Sequence, residues 1–526
     1  MEFDITTLPD DPQELKRIIA RLSREQYRYS QENNLLRERI RLLYAKLFGK
    51  KSEKSGSGLS PQLPLFDMPE PELLEPERET TQVEAHSRAK RGRKPLPEDL
   101  PRIEVIHDIE EAEKLCGCGA RLTRIGEEVS EKLDIIPAVI QVIRHVRPKY
   151  ACKTCEGLET ADCAVKIAPP PKQLIPKGIA TAGLLAHILI AKFCDAVPFY
   201  RQEKQFQRLG AEIPRATMCN WAMKTAAACQ PLLQLLHQEI RSGPLINIDE
   251  TTVQVLDEPG RAPTTKSYMW ICRGGAPERP GLLYRYDPTR SAEVAKELLE
   301  GYAGIVQSDG YKGYDWLDEK SNIVHVGCWA HARRKFVEAK KGQGKSKKAG
   351  SADVALSYIR RIYEIEKDAA KQNLPIAEHL QLRREKTGIV LDEFHKWLEK
   401  KSMHITPKSL LGVAVNYTLK QWHRLKNFVD HPVVTPDNNL AENAIRPFVV
   451  GRKNWLFAGT VDGAKASATI YSLIETAKAN KLEPYKYLRF LFEKLPFAES
   501  EEDYESLLPV VLTDKDLIIS DIPSGV

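Results

Sequence analysis

The stretch LINIDETTVQVL, residues 245–256, decides the fold of the central part of this 526-residue chain. Its apolar run ends in two acids and then resumes with β-branched residues, which is typical of a strand. Four more segments have strand-like composition, and one helical pattern lies among them: strands at 266–274, 281–287, 304–309 and 322–330, and a helix at 291–299. Together these segments predict a mixed α/β core.

Two of these strands carry an acid directly after an apolar run. Asp249 follows PLINI and Asp309 follows GIVQS, so both carboxylates are expected at the rim of neighbouring strands. Mg²⁺ prefers hard oxygen ligands, and two carboxylates plus a third can hold a metal pair about 4 Å apart. Glu250 should point to the opposite face of its strand, which makes it a poorer ligand candidate.

A third acid is expected from a helix packed beside the sheet, and Glu442 within TPDNNLAENAIRP is the candidate. Thr435 and Pro436 are predicted to open that helix, and Arg446 lies one turn beyond Glu442 on the same face. From the residues alone, a surface ion pair between Glu442 and Arg446 is an equal explanation.

The N-terminal segment 11–49 has a heptad pattern of apolar residues, which predicts a short coiled coil and a homodimer or higher oligomer. Asn33 at a core position favours a parallel pair in register. The alternative is an amphipathic helix folded onto its own chain. The two core positions of the heptads are Ile19, Gln26, Asn33, Ile40 and Leu47, and Leu15, Leu22, Tyr29, Leu36 and Leu43.

Residues 50–101 are rich in Ser, Pro, Glu and Lys, which predicts a flexible basic linker. Within it, Arg91, Arg93 and Lys94 surround Gly92 in the manner of short hooks that lie in the minor groove of A·T-rich DNA. A plain linker is the alternative.

Residues 102–170 contain two close cysteine pairs, Cys116 with Cys118 and Cys152 with Cys155. Brought together by a hairpin, four thiolates give the tetrahedral site that structural Zn²⁺ prefers, so a zinc-binding, DNA-binding module is predicted. The single residue inside the first pair leaves room for Cys163 as a substitute ligand, and four unliganded cysteines are the alternative. The remaining cysteines are predicted to be buried: Cys194, Cys219, Cys229, Cys272 and Cys328.

Residues 178–240 have the composition of successive helices with helix-turn-helix spacing, in which Pro214 starts the second helix after a turn at 211–213. Arg215, Thr217 and Asn220 in its first two turns could contact bases or phosphates in a major groove. A helical hairpin without DNA contacts is the alternative.

The charge distribution and the targeting signals of the sequence indicate the kind of partner and the compartment of the protein. The net charge is +6, and basic residues cluster at 88–94 and 331–348, as expected for a polyanionic partner. The longest apolar stretch, 178–194, is too short for a bilayer, and the acidic N-terminus is unlike a signal peptide. We expect a cytoplasmic protein without membrane contact or a disulfide framework.

Several stretches together resemble a bacterial DDE transposase of insertion-sequence family sixty-six, nearly end to end. They are GRKPLPEDLPR from Gly92, RLTRIGEEVSEKLDIIPAVIQVIRHVRPKYAC from Arg121, INIDET from Ile246, SDGYKGY from Ser308, CWAHARRKF from Cys328 and DNNLAENAIRPFVVGRKNWLFAGT from Asp437. The family pattern has C-x-x-C or a tighter form at the first cysteine pair.

The resemblance implies an α/β RNase H-like core, in two parts at 241–345 and 431–480. An all-α insertion at 346–430 would separate these parts, and a C-terminal tail at 481–526 would follow them. It implies that Asp249, Asp309 and Glu442 form the acidic triad, with two Mg²⁺ or Mn²⁺ ions per active site. The implied partner is double-stranded DNA, both terminal inverted repeats and target, with accessory proteins of the same element as further candidates. The implied location is the bacterial cytoplasm at the nucleoid.

This comparison suggests roles for individual residues in cleavage and strand transfer. Asp309 is expected to bridge the two metals, and His331 to cap the basic helix or to orient a phosphate. Candidate phosphate contacts are Lys312, Arg333, Arg334, Arg446 and Arg452. Two other functions stay open from sequence: a domesticated DNA-binding protein without catalysis, and an RNase H-like nuclease that cuts without joining.

Overall fold

The structure is a computed structural model, and it describes residues 11–48, 102–106, 121, 130, 132–133, 139–151, 165–343 and 349–517. The chain divides into two compact units, Met1–Glu70 with Val146–Val526, and Pro71–His145. All helices and strands named below belong to the first unit. The predicted linker 50–101, with Arg91, Arg93 and Lys94, lies outside the described residues.

The predicted N-terminal helix is present as α1, Pro12–Phe48. Leu42 is buried on the face that contacts the chain's own helix over 329–343, and Lys46 pairs with Glu338 of that helix at 2.7 Å. The predicted heptad stripe lies on another face, where Ile40 and Leu43 are 60% and 58% exposed. The helix therefore packs on its own chain along one face and leaves the predicted dimer face uncovered.

Two short strands follow, β1 Lys149–Ala151 and β2 Val165–Ile167, paired antiparallel. Four helices come next and agree with the predicted helical region. They are α2 Ala182–Phe193, α3 Phe199–Arg208, α4 Arg215–Ala228 and α5 Gln230–Ser242.

The central sheet confirms the mixed α/β core. Its strands are β3 Leu245–Asp257, β4 Lys266–Ala276, β5 Arg279–Asp287, β6 Gly304–Gln307 and β7 Ile323–Val326, with α6 Ala292–Leu298 between β5 and β6. They lie in the order β5-β4-β3-β6-β7. The first three strands are antiparallel neighbours, whereas β6 runs parallel to β3 and β7 parallel to β6.

Helices cover this sheet and continue beyond it. After β7 come α7 Trp329–Gln343, α8 Ser351–Lys371, α9 Ile376–Leu382, α10 Gly388–Ser402, α11 Leu410–Lys420, α12 Trp422–Leu425 and α13 Asn439–Trp455. The short strand β8 Ala458–Thr460 pairs with the far end of β3, and α14 Val461–Ala479 packs on β5. The part from α8 to α12 lies where the all-α insertion was predicted, and it forms a second hydrophobic core around Phe394 together with α7 and residues of β3, β6 and β7.

Helix α14 also covers the open edge of β5. The hydroxyls of Ser472 and Thr476, one turn apart, accept the backbone N–H groups of Tyr284 and Leu282 at 2.7 and 3.0 Å. Edge strands left uncovered can pair with other chains, so this helix closes one edge of the sheet.

The chain after α14 was expected to be a tail, but its described part is packed. Helices α15 Pro484–Lys494 and α16 Glu501–Glu505 follow α14, and α15 lies against α2. Tyr487, Leu488 and Leu491 are buried in the main core. Their spacing buries one face of α15, so this segment contributes to the folded unit.

Candidate active site

The first two acids of the candidate site lie on neighbouring parallel strands. Asn247 of β3 is opposite Gln307 of β6, so Asp249 and Asp309 each lie two residues beyond this pair. The sequence suggested that both acids lie where their strands end, but this is true only of the strand before Asp309. Strand β3 continues past Asp249 as far as Asp257, and it is β6 that ends at Gln307, which leaves one side of β3 open beside the two acids.

Three buried amides join the elements that carry the three acids. Asn247 donates to the side-chain oxygens of Gln307 at 2.9 Å and of Asn438 at 3.0 Å. Asn438 in turn donates to the backbone carbonyl of Ile248 at 2.9 Å. Asn438 is the N-cap residue of α13, so this amide network fixes the start of the helix against β3 and brings Glu442, in its first turn, towards Asp249.

The start of α13 differs from the prediction for the same reason. Thr435 and Pro436 were expected to open the helix, but it begins at Asn439. Thr435 instead donates its hydroxyl to the carbonyl of Asp437, and its own carbonyl accepts the side-chain amide of Gln307 at 2.8 Å. These contacts hold the segment before α13 in a turn, and the helix begins only after Asn438, which contacts β3.

The three carboxylates influence each other electrostatically. Burial raises the pKa of Asp249 well above its ordinary value, and the nearby charges of Glu250, Asp309 and Glu442 raise it further. Burial also raises the pKa of Glu442, against the opposing effect of Arg334. Ionised acids that repel one another in a partly buried site are stabilised by cations, so these residues fit a divalent metal.

Glu250 has protein partners of its own. It forms an ion pair with Arg290 and accepts a hydrogen bond from the hydroxyl of Tyr314, and its side chain is almost fully buried. The guanidinium of Arg290 also lies 3.8 Å from the centre of the Tyr311 ring. These contacts engage both carboxylate oxygens of Glu250, whereas Asp249 is the acid of this strand on which both Asp309 and Glu442 act.

His331 faces Glu442, which the sequence prediction missed. It is the third residue of α7 and does not cap that helix. Its Nδ1 lies 3.7 Å from Oε1 of Glu442, and Sγ of Cys328 lies within 4.8 Å of both residues. Cys328 directly precedes α7 and His331 lies in its first turn, so the three-residue spacing in CWAH is the signal that could have revealed them.

Behind Asp309 lies a chain of buried hydrogen bonds that resembles a hydrolase triad. Nε2 of His325 is 2.8 Å from the hydroxyl of Ser308, and Nδ1 is 2.8 Å from Asp318. Burial lowers the pKa of His325, so the imidazole is neutral. Ser308 is fully buried and therefore has no access to a substrate; the chain supports the end of β6.

The predicted phosphate-binding residues lie at different distances from the acids. Arg334 and Arg446 act electrostatically on Glu442 and are half-buried, whereas Lys312 and Arg333 are exposed. Arg452 is ten residues beyond Glu442 on the same helix, or roughly 15 Å at 1.5 Å per residue. It contacts the hydroxyls of Thr251 and Thr252 at 3.4 and 3.2 Å. The basic groups therefore extend from the acids along α13.

The helix-turn-helix residues are accessible at the start of α4, where Arg215 and Asn220 are exposed and Thr217 is half-buried. The carboxylate of Glu203 accepts the backbone N–H of Arg215 at 3.0 Å. Of the single cysteines expected to be buried, Cys229, Cys272 and Cys328 are buried, Cys194 is half-buried and Cys219 is exposed. The last prediction was wrong because Cys219 lies on the outer face of α4.

The zinc candidates Cys116, Cys118, Cys152 and Cys155, and the substitute Cys163, lie outside the described residues. Strands β1 and β2 flank the segment that contains Cys152, Cys155 and Cys163. Among the described helices, none is both long and apolar enough to cross a membrane.

Comparison with known families confirms the resemblance seen in the sequence. Residues 177–466 match the Transposase IS66 family, and 113–156 match the zinc-finger binding domain of transposase IS66, a range that includes the two cysteine pairs. Residues 35–105 match a family described as Transposase C of IS166 homeodomain, and 472–510 match the IS66 C-terminal element.

Two relatives from Sinorhizobium fredii (strain NBRC 101917 / NGR234) are similar over most of the chain. The uncharacterized protein y4jD is 35% identical over 430 residues, covering 79% of this chain and 81% of that protein. The uncharacterized protein y4qI is 30% identical over 547 residues, covering 97% and 98%. The similarity therefore extends from the N-terminal part to the C-terminal helices.

Proposed function

Because the chain belongs to the IS66 transposase family, we propose that it is a DNA transposase whose metal-binding acids are Asp249, Asp309 and Glu442. The observation that supports the proposal is that Asp309, on the neighbouring strand, and Glu442, on α13, both act electrostatically on Asp249, whose pKa is raised by burial and by these charges. The strand order and the insertion before Glu442 further support an RNase H-like core.

In this proposal, the chain binds the terminal inverted repeats of its element, cuts one strand at each end and joins the freed 3′ hydroxyl to target DNA. Cleavage breaks the bond between phosphorus and the 3′ oxygen, with water supplying the new oxygen; joining exchanges one phosphodiester for another. A pair of divalent cations, when bound, would supply Lewis-acid activation of the attacking and leaving oxygens.

The chain's own groups would hold the DNA and the acids in place. The side-chain amides of Asn247, Gln307 and Asn438 hold the three acid-bearing elements together. Because these amides are uncharged, a bound cation would not repel them. Arg334 and Arg446, which act electrostatically on Glu442, would contact the phosphates that flank the cut, and the exposed Lys312, three residues beyond Asp309, is a further candidate. Zinc held by the two cysteine pairs and the exposed face of α4 would add contacts to the repeats.

The test uses a plasmid that carries the inverted repeats flanking this gene, with release of 3′ ends and their joining measured separately in Mg²⁺ and in Mn²⁺. Asp309→Cys replaces a hard oxygen by a soft sulfur, so it should bind the repeats normally, fail to cut in Mg²⁺ and regain some cutting in Mn²⁺. Asp309→Ala should be inactive in both metals.

Asp257→Cys is the matched control, because Asp257 is exposed on β3, roughly 26 Å from Asp249 at 3.3 Å per residue. Full Mg²⁺ activity in either Asp309 variant would exclude this acid from the site. Cutting without any joining would show that the protein is a nuclease instead of a transposase.

A further inference from the structure

We infer that His331 is a nitrogen ligand of the metal held by Glu442, so that one of the two cation positions has mixed imidazole and carboxylate coordination. This inference rests on the proposed function and adds a ligand to its site. It comes from the contact between α7 and the first turn of α13.

The two atoms that face each other have no other partner. Nδ1 of His331 and Oε1 of Glu442 are both shielded from solvent, and neither makes a hydrogen bond within the described residues. Their separation of 3.7 Å is too long for a hydrogen bond. Buried polar atoms are nearly always satisfied, so two that face each other across a gap point to a shared partner between them.

The separation suits a metal ion. Two ligand atoms bound at about 2.1 Å to one ion lie roughly 3.0 to 3.6 Å apart for bond angles between 90° and 120°. The pair at 3.7 Å is therefore close to the spacing of adjacent ligands, and a small side-chain adjustment would complete it.

The position of His331 relative to the other acids agrees with this role. The charge of Asp309 acts directly on His331, so the imidazole lies near Asp309 as well as near Glu442. An imidazole nitrogen is a common metal ligand in proteins, and Nδ1 is the atom of His331 that lies 3.7 Å from Glu442.

Cys328 is close to both residues but does not fit as a ligand. Its thiol is buried, and its Sγ already accepts the backbone N–H of Asn438 at 3.2 Å. Mg²⁺ and Mn²⁺ prefer oxygen to soft sulfur ligands, so Cys328 is a packing residue while His331 and Glu442 supply the donors.

A nitrogen donor has a consequence for metal choice. Mg²⁺ is usually held by oxygen ligands alone, whereas Mn²⁺ accepts imidazole more readily. We therefore expect the full-length protein to bind Mn²⁺ more tightly than Mg²⁺, with much of the difference due to His331.

The test is electron spin-echo spectroscopy of the full chain loaded with Mn²⁺ alone, which detects nitrogen bound directly to manganese. The wild-type protein should show coupling to ¹⁴N, and labelling its histidines with ¹⁵N should convert that signal to the ¹⁵N pattern. His331→Gln should remove the coupling and weaken Mn²⁺ binding by roughly tenfold or more.

The matched control is His237→Gln, because His237 is half-buried and bonds to the carbonyl of Leu298, with no acid of the site among its contacts. It should keep both the nitrogen coupling and the affinity. Mn²⁺ bound in an Asp309-dependent manner but without nitrogen coupling would overturn this inference and leave the proposed function intact. Mn²⁺ binding that is unaffected by Asp309→Asn would overturn both.

Discussion

The guanidinium of Arg383 offers the sharpest test of how the helical insertion supports the site. Arg383 is 1% exposed and lies in a short π-helix between α9 and α10. Its five N–H donors are all used: two bonds reach the carboxylate of Glu366 in α8, and three reach backbone carbonyls of the segment before α13. Those carbonyls belong to Phe428, His431 and Val434.

Removing this side chain leaves three carbonyls without their donor, and it leaves the half-buried carboxylate of Glu366 with His379, 3.2 Å away, as its remaining partner among the described residues. Arg383→Met should therefore cost about 3–5 kcal/mol, as for other buried pairs broken on one side. Arg383→Lys keeps the charge but has only three donors, so it should cost about 2–4 kcal/mol. Since each 1.4 kcal/mol is a factor of ten, amide exchange in 427–434 should accelerate roughly 30- to 1000-fold in the lysine variant.

The assay is hydrogen exchange followed by mass spectrometry on peptides from 427–434. The neighbouring Arg384→Lys is the control, because Arg384 pairs with Asp430 at 3.2 Å at the surface and both side chains are 63% exposed. That change should alter stability by less than about 0.5 kcal/mol. If exchange in Arg383→Lys matched the control within threefold, the five bonds would not be what holds this segment.

Three other predictions concern charge, assembly and zinc. The pKa of Asp249 is raised in the folded state, so ionising this acid lowers the stability of the fold. The loss is absent below the ordinary pKa of an aspartate, and it grows as the pH rises through the raised pKa. Without added divalent cation, the Asp249→Asn variant should therefore have a higher melting temperature than the wild-type protein at about pH 8, and this difference should shrink towards about pH 5. Equal melting temperatures at both pH values would contradict this prediction. Replacing Leu36 and Leu43 by Lys on the exposed face of α1 should convert the dimer to a monomer in sedimentation, as should deletion of 11–49, and an unchanged mass would refute the coiled-coil dimer. Cys152→Ser should lower the zinc content from about one ion per chain, and retention of both zinc and repeat binding would exclude the four-thiolate site.

The sequence predicted the acid-bearing strands well, because an apolar run that ends in an acid is a local pattern. Asp249 and Asp309 both lie two residues past a paired position, as that pattern implies. It placed the start of α13 too early, since Thr435 and Pro436 are good helix starters by themselves. The side chain of Asn438 bonds to β3 instead, which is a tertiary contact that no local pattern records.

Other features were missed because the residue types carry little information alone. Asn247 and Gln307 are ordinary polar residues in sequence, and only the strand register makes them partners. His331 looked like a member of a basic helix, because its partner Glu442 is far away in the chain. The packed helix α15 could have been predicted, since Tyr487, Leu488 and Leu491 have the spacing of a buried helical face.

The covered edges of the sheet limit how copies of this protein can meet. On one side Ser472 and Thr476 occupy the backbone groups of β5, and on the other the side chain of Asn427 donates to the carbonyl of His325 in β7 at 2.8 Å. Edges covered in this way offer little opportunity for strand-to-strand polymerisation between copies. If the chain dimerises through the apolar face of α1, as we predict, a helical pair would close on itself and growth would stop at a defined size.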